Sequence, residues 1–439
     1  MSAKTIQLLA TLGMTILWAY DNFDVLLKSL TTTLENNVDP LKHLTSALVF
    51  PFQHGVVLKD LRVSEELWKS DAFNDKSDAS VKLTKWDMWK KICPRYNELL
   101  TPVTEGARVD GIEEDDRHSE FRVWLFLCDL VEHGPKYFQT FCGELIPPAP
   151  IGDPIPIVKT KVTPLQSLDV SNSTAKGNLD TIEKLLEQTG LGDYEPPTPT
   201  VSLDHHVLLF HGDLGTGERI NTAKQYRSIK NSPRNRLQFV VFVMGLFHAK
   251  MACAEAIWQT FLKDQKARSD RTGFHSDFKI LRPRDSSGLS SMFKFRPVHN
   301  AIKHVGTCRR LDCMRVVAKE DHYSSLQEFA DSQPSWSRVV ALARKAVKRF
   351  VPTFLELQEL DEKDPEERDQ QLENSMGFHI YSTLYKEMSY AMDHGDIGRV
   401  EMCLIAWVPL FEAAGKKKYS QYTIKLVHDL NHVFPARMR

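Results

Sequence analysis

Two acidic positions each follow an apolar run directly. They are Asp21, with Asp24 close by, in WAYDNFD, and Asp213 in LLFHGDLGTG. Carboxylates converging from neighbouring strand ends are what an enzyme needs to hold two divalent metals over a phosphodiester. The metals activate water and stabilise the leaving oxygen. On that chemistry Asp21 and Asp213 are the metal ligands, with Mg²⁺ or Mn²⁺ as cofactor. A further acidic side chain is wanted, because two aspartates alone balance two such ions poorly. Asp396 and Glu401, with Asp393 just before them, are the candidates. Any two aspartates at strand ends look alike at this level, so an ordinary structural reading stays open.

Other chemistries find less support. The turn GDLGTGER lacks the Lys-Ser/Thr ending of a phosphate-binding loop and the G-x-G-x-x-G spacing. No G-x-S-x-G elbow marks a serine hydrolase. His304, Cys308 and Cys313 offer three metal-ligand types but no evident fourth, and structural zinc favours tighter pairs. His211 and His248 flank the core strands near Asp213, where a lone histidine is more often structural than a ligand.

The elements that must position the carboxylates are mixed. Met14 to Tyr20, Leu30 to Leu34 and Leu44 to Phe52 read as strands. From Val63 the pattern turns helical, with Phe121, Trp124, Leu125, Cys128 and Val131 on one face of a helix. Proline punctuates 146–202, which reads as a connector holding at most one short helix. Then come a short strand at His206–Phe210, the acidic turn, a helix from Glu218, a buried strand over Arg236–Phe247 and a helix from His248.

One carboxylate on the first strand and one after a later strand is the order of an RNase H-like fold. The expected class is therefore α/β: an RNase H-like mixed sheet with a large helical insertion and a helical C-terminal region. The first strands fall in 1–62, the insertion in 63–145, the connector in 146–202 and the second half of the core in 203–265. A basic, loop-rich segment follows over 266–323. Helices fill 324–439, clearest at Ser335–Phe354, Ser375–His394 and Ile397–Ala414.

Charge is unevenly distributed. The chain carries a net charge of −1, yet Asp213 to Glu320 holds 21 Lys and Arg against 9 Asp and Glu. Such segregation marks either a polyanion-binding face or a set of solvated helix faces. On the first reading DNA is the partner, and Lys224, Arg227, Lys230, Arg234 and Arg236 contact its phosphates. Seven scattered cysteines without a CxxC pair fit a reducing, intracellular compartment, the nucleus for a DNA-directed protein. The apolar stretch from Ile6 to Tyr20 lacks a clean signal cleavage site. No other run of about 20 uncharged apolar residues suggests a membrane span.

YDNFD, DPLKHLTSALVFPFQHGV, FHGDLGTGERI, VMGLFHAKMACAEAIW and GDIGRVEMCLIAWVPLFEAAGKKKYS together resemble a fungal family described only as a domain of unknown function. The resemblance spans nearly the whole chain. Members of that family resemble transposase-derived proteins. Their DN-x-D and GD-x-x-T motifs resemble the first two catalytic carboxylates of RNase H-like transposases, which here implies Asp21 or Asp24, and Asp213. The matching late motif holds Asp393, Asp396 and Glu401, where such folds keep a final acid. The resemblance implies metal-dependent DNA strand cleavage or transfer. The alternative it leaves is a catalytically inactive, transposon-derived module that binds nucleic acid or protein.

Overall fold

The alternation of apolar side chains near the N-terminus produces β1 (Ile16–Leu26), with Ile16, Trp18 and Tyr20 turned into a core. The computed structural model describes residues 13–26, 41–75, 83–100, 116–191, 202–263, 265–284, 288, 292–364 and 366–438. Expected strand Leu30–Leu34 lies outside these residues. β1 continues past Tyr20 and pairs antiparallel with β2 (Leu41–Pro51) as far as Leu26↔Leu41. Asp21 and Asp24 are therefore within the strand rather than just after it.

β3 (Thr163–Pro164) adds antiparallel to β2. β4 (Leu208–Gly212) lies parallel to β1, and β5 (Val240–Met244) parallel to β4. The strand order is β3-β2-β1-β4-β5, a mixed sheet. β4 and β5 are joined by the helix Leu214–Arg227, as a parallel pair requires. That helix lies close against the sheet. A Cβ on Gly217 would fall 2.4 Å from the Phe242 ring, so glycine is needed at the contact.

Three expectations are corrected here. Part of the 146–202 segment belongs to the core of the sheet: residues 163–164 supply β3, and the helix Ala175–Thr189 packs Ile182, Leu185 and Leu186 into the cluster that holds Trp18 and Phe210. Proline is tolerated in β3 because the strand is at the sheet edge. The strand expected over Arg236–Phe247 is shorter, because Leu237 adopts a left-handed backbone (φ 57°) and breaks extension before Val240. The basic segment 266–323 is largely helical, containing Phe274–Leu281 and the 26-residue Phe295–Glu320. In the latter a buried stripe of Val298, Ala301, Ile302 and Val305 hides among charged residues.

The chain divides into two units. The first comprises residues 1–92, 156–249 and 421–439 and contains the sheet; the second comprises 93–155 and 250–420. Asn22, Asn178 and Tyr20 tie the sheet unit together. Asn22 Oδ1 accepts from the Asn172 backbone N–H at 3.1 Å, and the Tyr20 hydroxyl donates to Asn178 Oδ1 at 3.0 Å.

The second unit is helical. Arg117–His133, Phe295–Glu320, Trp336–Phe350 and Gln370–His394 share a core of Phe126, Leu130, Met314, Val339 and Ile380. Ile397–Ala413 packs on Gln370–His394. Trp336–Phe350, Gln370–His394 and Ile397–Ala413 match the helices expected near the C-terminus. No helix among the described residues is long and apolar enough to cross a membrane.

Candidate functional site

β1 and β4 are neighbours running the same way, in the register Trp18↔Phe210 and Ala19↔His211. Extended by two residues, this register would bring Asp21, within β1, level with Asp213, the first residue past the end of β4. Strand alternation puts Asp21 on the sheet face opposite Trp18 and Tyr20, the face that also carries Ala19 and His211. Asp21 is exposed, and among the described residues its Oδ1 accepts only the adjoining Asn22 N–H, at 2.8 Å.

Asp213 caps the Leu214–Arg227 helix, its Oδ1 accepting the Thr216 N–H at 2.7 Å. The Oδ2 atoms of Asp21 and Asp213 have no hydrogen-bond partner among the described residues, so both carboxylates can still ligate a cation. Two cationic or basic groups approach the same turn. A Cβ on Gly215 would lie 3.1 Å from Arg219 Nη1 and 3.4 Å from Asp213 Oδ2, so both groups flank this glycine. Gly245, which ends β5, donates to Gly212 O at 3.2 Å and carries His248 over the turn.

Asp24 is placed differently. It lies three residues beyond Asp21, opposite His43 in the β1–β2 pair, and bonds His43 Nδ1 at 2.7 Å. Of the first pair, Asp21 is thus the nearer to the paired stretch of β1 and β4. Burial, reinforced by the Asp213 charge and opposed by Arg219, pushes the Tyr20 phenol well above its ordinary range. Tyr20 therefore stays protonated and serves as a donor to Asn178. Burial also lowers His211, which is a neutral imidazole at pH 7.

The late acidic candidates belong to the helical unit. Asp396 is 3% exposed and caps Ile397–Ala413. Its Oδ1 accepts from the Ile151 N–H at 3.0 Å and the Arg399 N–H at 3.1 Å, and its Oδ2 from Arg399 Nε at 2.9 Å. A carboxylate so surrounded serves as an internal counter-ion. Glu401 lies 3.6 Å from Arg95, and Asp393 is exposed. In the sheet unit, sequence reasoning missed Asp429. Burial raises its carboxyl, but Lys425 and His428 more than reverse that, so it too is paired.

The five basic residues also have local duties. Lys224 pairs with Asp71 at 3.3 Å, and Arg227 with Glu183 at 3.4 Å. Arg236 donates to the carbonyls of Lys230 and Asn231 at 3.1 Å and stacks over Trp68. The Arg234 N–H bonds Asp204, and Lys230 is exposed.

A further cluster was not foreseen. His118 Nδ1 lies 2.6 Å from Glu387 Oε2, Glu387 Oε1 accepts Arg399 Nη1 at 2.9 Å, and Arg399 Nη2 donates to Ala149 O at 2.8 Å. Cys403 adjoins them. Donor atoms of His118, Glu387 and Cys403 lie within 4.8 Å of one another, and these are metal-ligating types. Both Glu387 oxygens are already bonded, however, and burial raises the Cys403 thiol well above its ordinary range, against the thiolate a metal needs. The cluster is a saturated internal network. The only early signal was local, the Asp396–Arg399 spacing of three residues; His118 and Glu387 are 269 positions apart.

His304, Cys308 and Cys313 are not gathered into a site. His304 and Cys308 are exposed, whereas Cys313 is buried with its Sγ 3.4 Å from His379 Nε2. His379 has a testable consequence. Burial, with Arg309 and Arg310 nearby, depresses it to about 3. Its folded value is below its unfolded value near 6.5, so the unfolded chain takes up the proton first. Stability from this group is present above about pH 6.5 and is lost as pH falls towards 3, by about 1.4 kcal/mol per unit. Urea unfolding from pH 7 to pH 5 should show that slope, reduced in His379→Gln. Equal slopes in both proteins would contradict a neutral buried His379.

No curated protein and no solved structure matches the chain. Residues 96–439 match a family described as "Family of unknown function (DUF6589)", a span that includes Asp213, Asp396 and Glu401 and begins after Asp21 and Asp24. With more than half of its length matched, the chain belongs to the DUF6589 family.

Proposed function

We propose that the sheet unit is an RNase H-like domain of transposase descent in which Asp21 and Asp213 hold Mg²⁺ or Mn²⁺ for cleavage of DNA phosphodiesters. The observation that carries this reading is that β1, which holds Asp21, is the parallel neighbour of β4, which runs directly into Asp213. The strand order, with β2 antiparallel to its neighbours and β4 and β5 parallel to β1, also supports it. Each aspartate keeps an oxygen without a hydrogen-bond partner among the described residues, as a metal ligand must. A bound divalent ion would supply Lewis acidity and a more acidic water. The chain's own part is to fix two negative ligands, one on β1 and one at the helix cap that follows β4.

A second reading is a binding module without catalysis. Arg219 favours it, because a guanidinium flanking Gly215 together with Asp213 supplies positive charge at the turn from within the chain. The commitment of Asp396 to Arg399 favours it as well. Incubation of the purified chain with supercoiled plasmid separates the two. Nicking that requires Mg²⁺ or Mn²⁺ supports the enzyme. Salt-sensitive DNA binding without nicking by a well-folded sample supports the module.

A further inference from the structure

The Phe295–Glu320 helix presents His299, Lys303, Gly306 and Arg310 at intervals of four, three and four residues, a single stripe of its surface. Asp129 of Arg117–His133 and Tyr385 and Lys386 of Gln370–His394 meet this stripe. Arg310 is fully buried. Its Nε bonds Asp129 Oδ2 at 2.5 Å and its Nη2 bonds Thr307 Oγ1 at 3.3 Å. Its Nη1 is buried with no hydrogen-bond partner among the described residues. That nitrogen lies over Gly306, where a Cβ would come within 2.8 Å of it, so the glycine leaves it room.

In the surroundings of this stripe the cations outnumber the carboxylates Asp129 and Asp393. Burial comes first, followed by Arg310 and, more weakly, Lys303 and Lys250, in holding the Lys386 ammonium below the usual lysine range, with Asp129 opposing. Burial and the same three lysines, Lys250, Lys386 and Lys303, lower His299, against Asp393. His299 Nδ1 is 2.8 Å from the Tyr385 hydroxyl. Among the described residues none of Lys250, Lys303 and Lys386 makes an ion pair. Asp129 is already bonded to Arg310 and Thr307.

Crowding one exposed lysine, two half-buried lysines and a buried guanidinium that keeps an N–H without a partner among the described residues is unfavourable, and an anion would relieve it. The anion must carry more than one charge and several acceptors, and a phosphate group has both.

We propose that Lys250, Lys303, Lys386 and Arg310 of the helical unit form a binding site for a phosphate group, on an inorganic or organic phosphate or on a nucleic-acid chain. The site is independent of the nuclease reading, because none of its residues belongs to the sheet unit.

The test is calorimetric titration of the full chain with inorganic pyrophosphate and, separately, with a short thymidine oligonucleotide, at fixed ionic strength. Saturable binding of at least one probe is expected, with a melting temperature about 3–6 °C higher near saturation. Competition between the two probes would identify nucleic acid as a source of the phosphate. Pyrophosphate binding alone would identify a small phosphate ester. Lys386→Met removes the most crowded charge and keeps the aliphatic stem. It should weaken binding about tenfold or more while the anion-free protein melts no lower than the wild type. The exposed Lys303→Met should also weaken binding, and it bears on the site even if Lys386→Met folds poorly. Absence of saturable binding by both probes would overturn the proposal, as would undiminished affinity in both variants.

Discussion

Arg399→Met is expected to lower the stability of the helical unit by about 3–5 kcal/mol, the cost of breaking a buried ion pair from one side. Arg399 is completely buried and donates to Asp396, Glu387 and the Ala149 carbonyl. Methionine fills much of its volume but satisfies none of these acceptors. Two buried carboxylates are then left without their shared cation, Glu387 keeping only His118 and Asp396 only the backbone N–H groups of residues 151 and 399 among the described residues. Against a total stability of about 5–15 kcal/mol, the loss is large enough to see as a melting-temperature drop on the order of 10 °C. Adding Glu387→Gln and Asp396→Asn to Arg399→Met removes the orphaned charges and should recover part of the loss. A single variant within about 0.5 kcal/mol of the wild type would mean that water reaches this network.

The second large effect concerns Asp213. If the chain cuts DNA with a divalent metal, Asp213→Asn should reduce nicking by a factor on the order of 10²–10³, the usual cost of losing one strong electrostatic contributor. The amide keeps the Oδ1 acceptor for the Thr216 N–H, so the helix cap and the fold should survive. Asp21→Asn should act similarly, since among the described residues its carboxylate holds nothing but the neighbouring N–H. Asp24→Asn removes the contact to His43 at another point of the β1–β2 pair and should leave most of the activity. Equal losses at Asp21 and Asp24 would argue against the register as the basis of the site.

The parts of this architecture that were legible in the sequence are those with sustained periodicity. The apolar run from Met14 to Tyr20 announced β1, and the apolar run before Asp213 announced β4. Their adjacency follows from the carboxylate order that an RNase H-like reading requires. The C-terminal helices were legible from their long apolar stripes. β3 was not, because two residues at a sheet edge carry no period and one of them is proline.

The helix Phe295–Glu320 was hidden by its composition, since its buried face is narrow and also holds Arg310. Asp396 looked like a catalytic acid because an acidic residue before a helix serves equally as cap and as ligand. Only its contacts with Ile151 and Arg399 distinguish the two. The lysine cluster and the His118–Glu387–Arg399 network depend on helices brought together from distant parts of the chain, which no local pattern records.

The most direct test of the central claim is Mn²⁺ binding followed by electron paramagnetic resonance, in the wild type and in Asp21→Asn, Asp213→Asn and Asp24→Asn. Asp21 and Asp213 acting together predict saturable Mn²⁺ binding that Mg²⁺ displaces. Either of the first two substitutions should weaken it at least tenfold, and Asp24→Asn should leave it nearly unchanged. Mn²⁺ affinity that is absent in the wild type, or indifferent to both Asp21→Asn and Asp213→Asn, would contradict the claim.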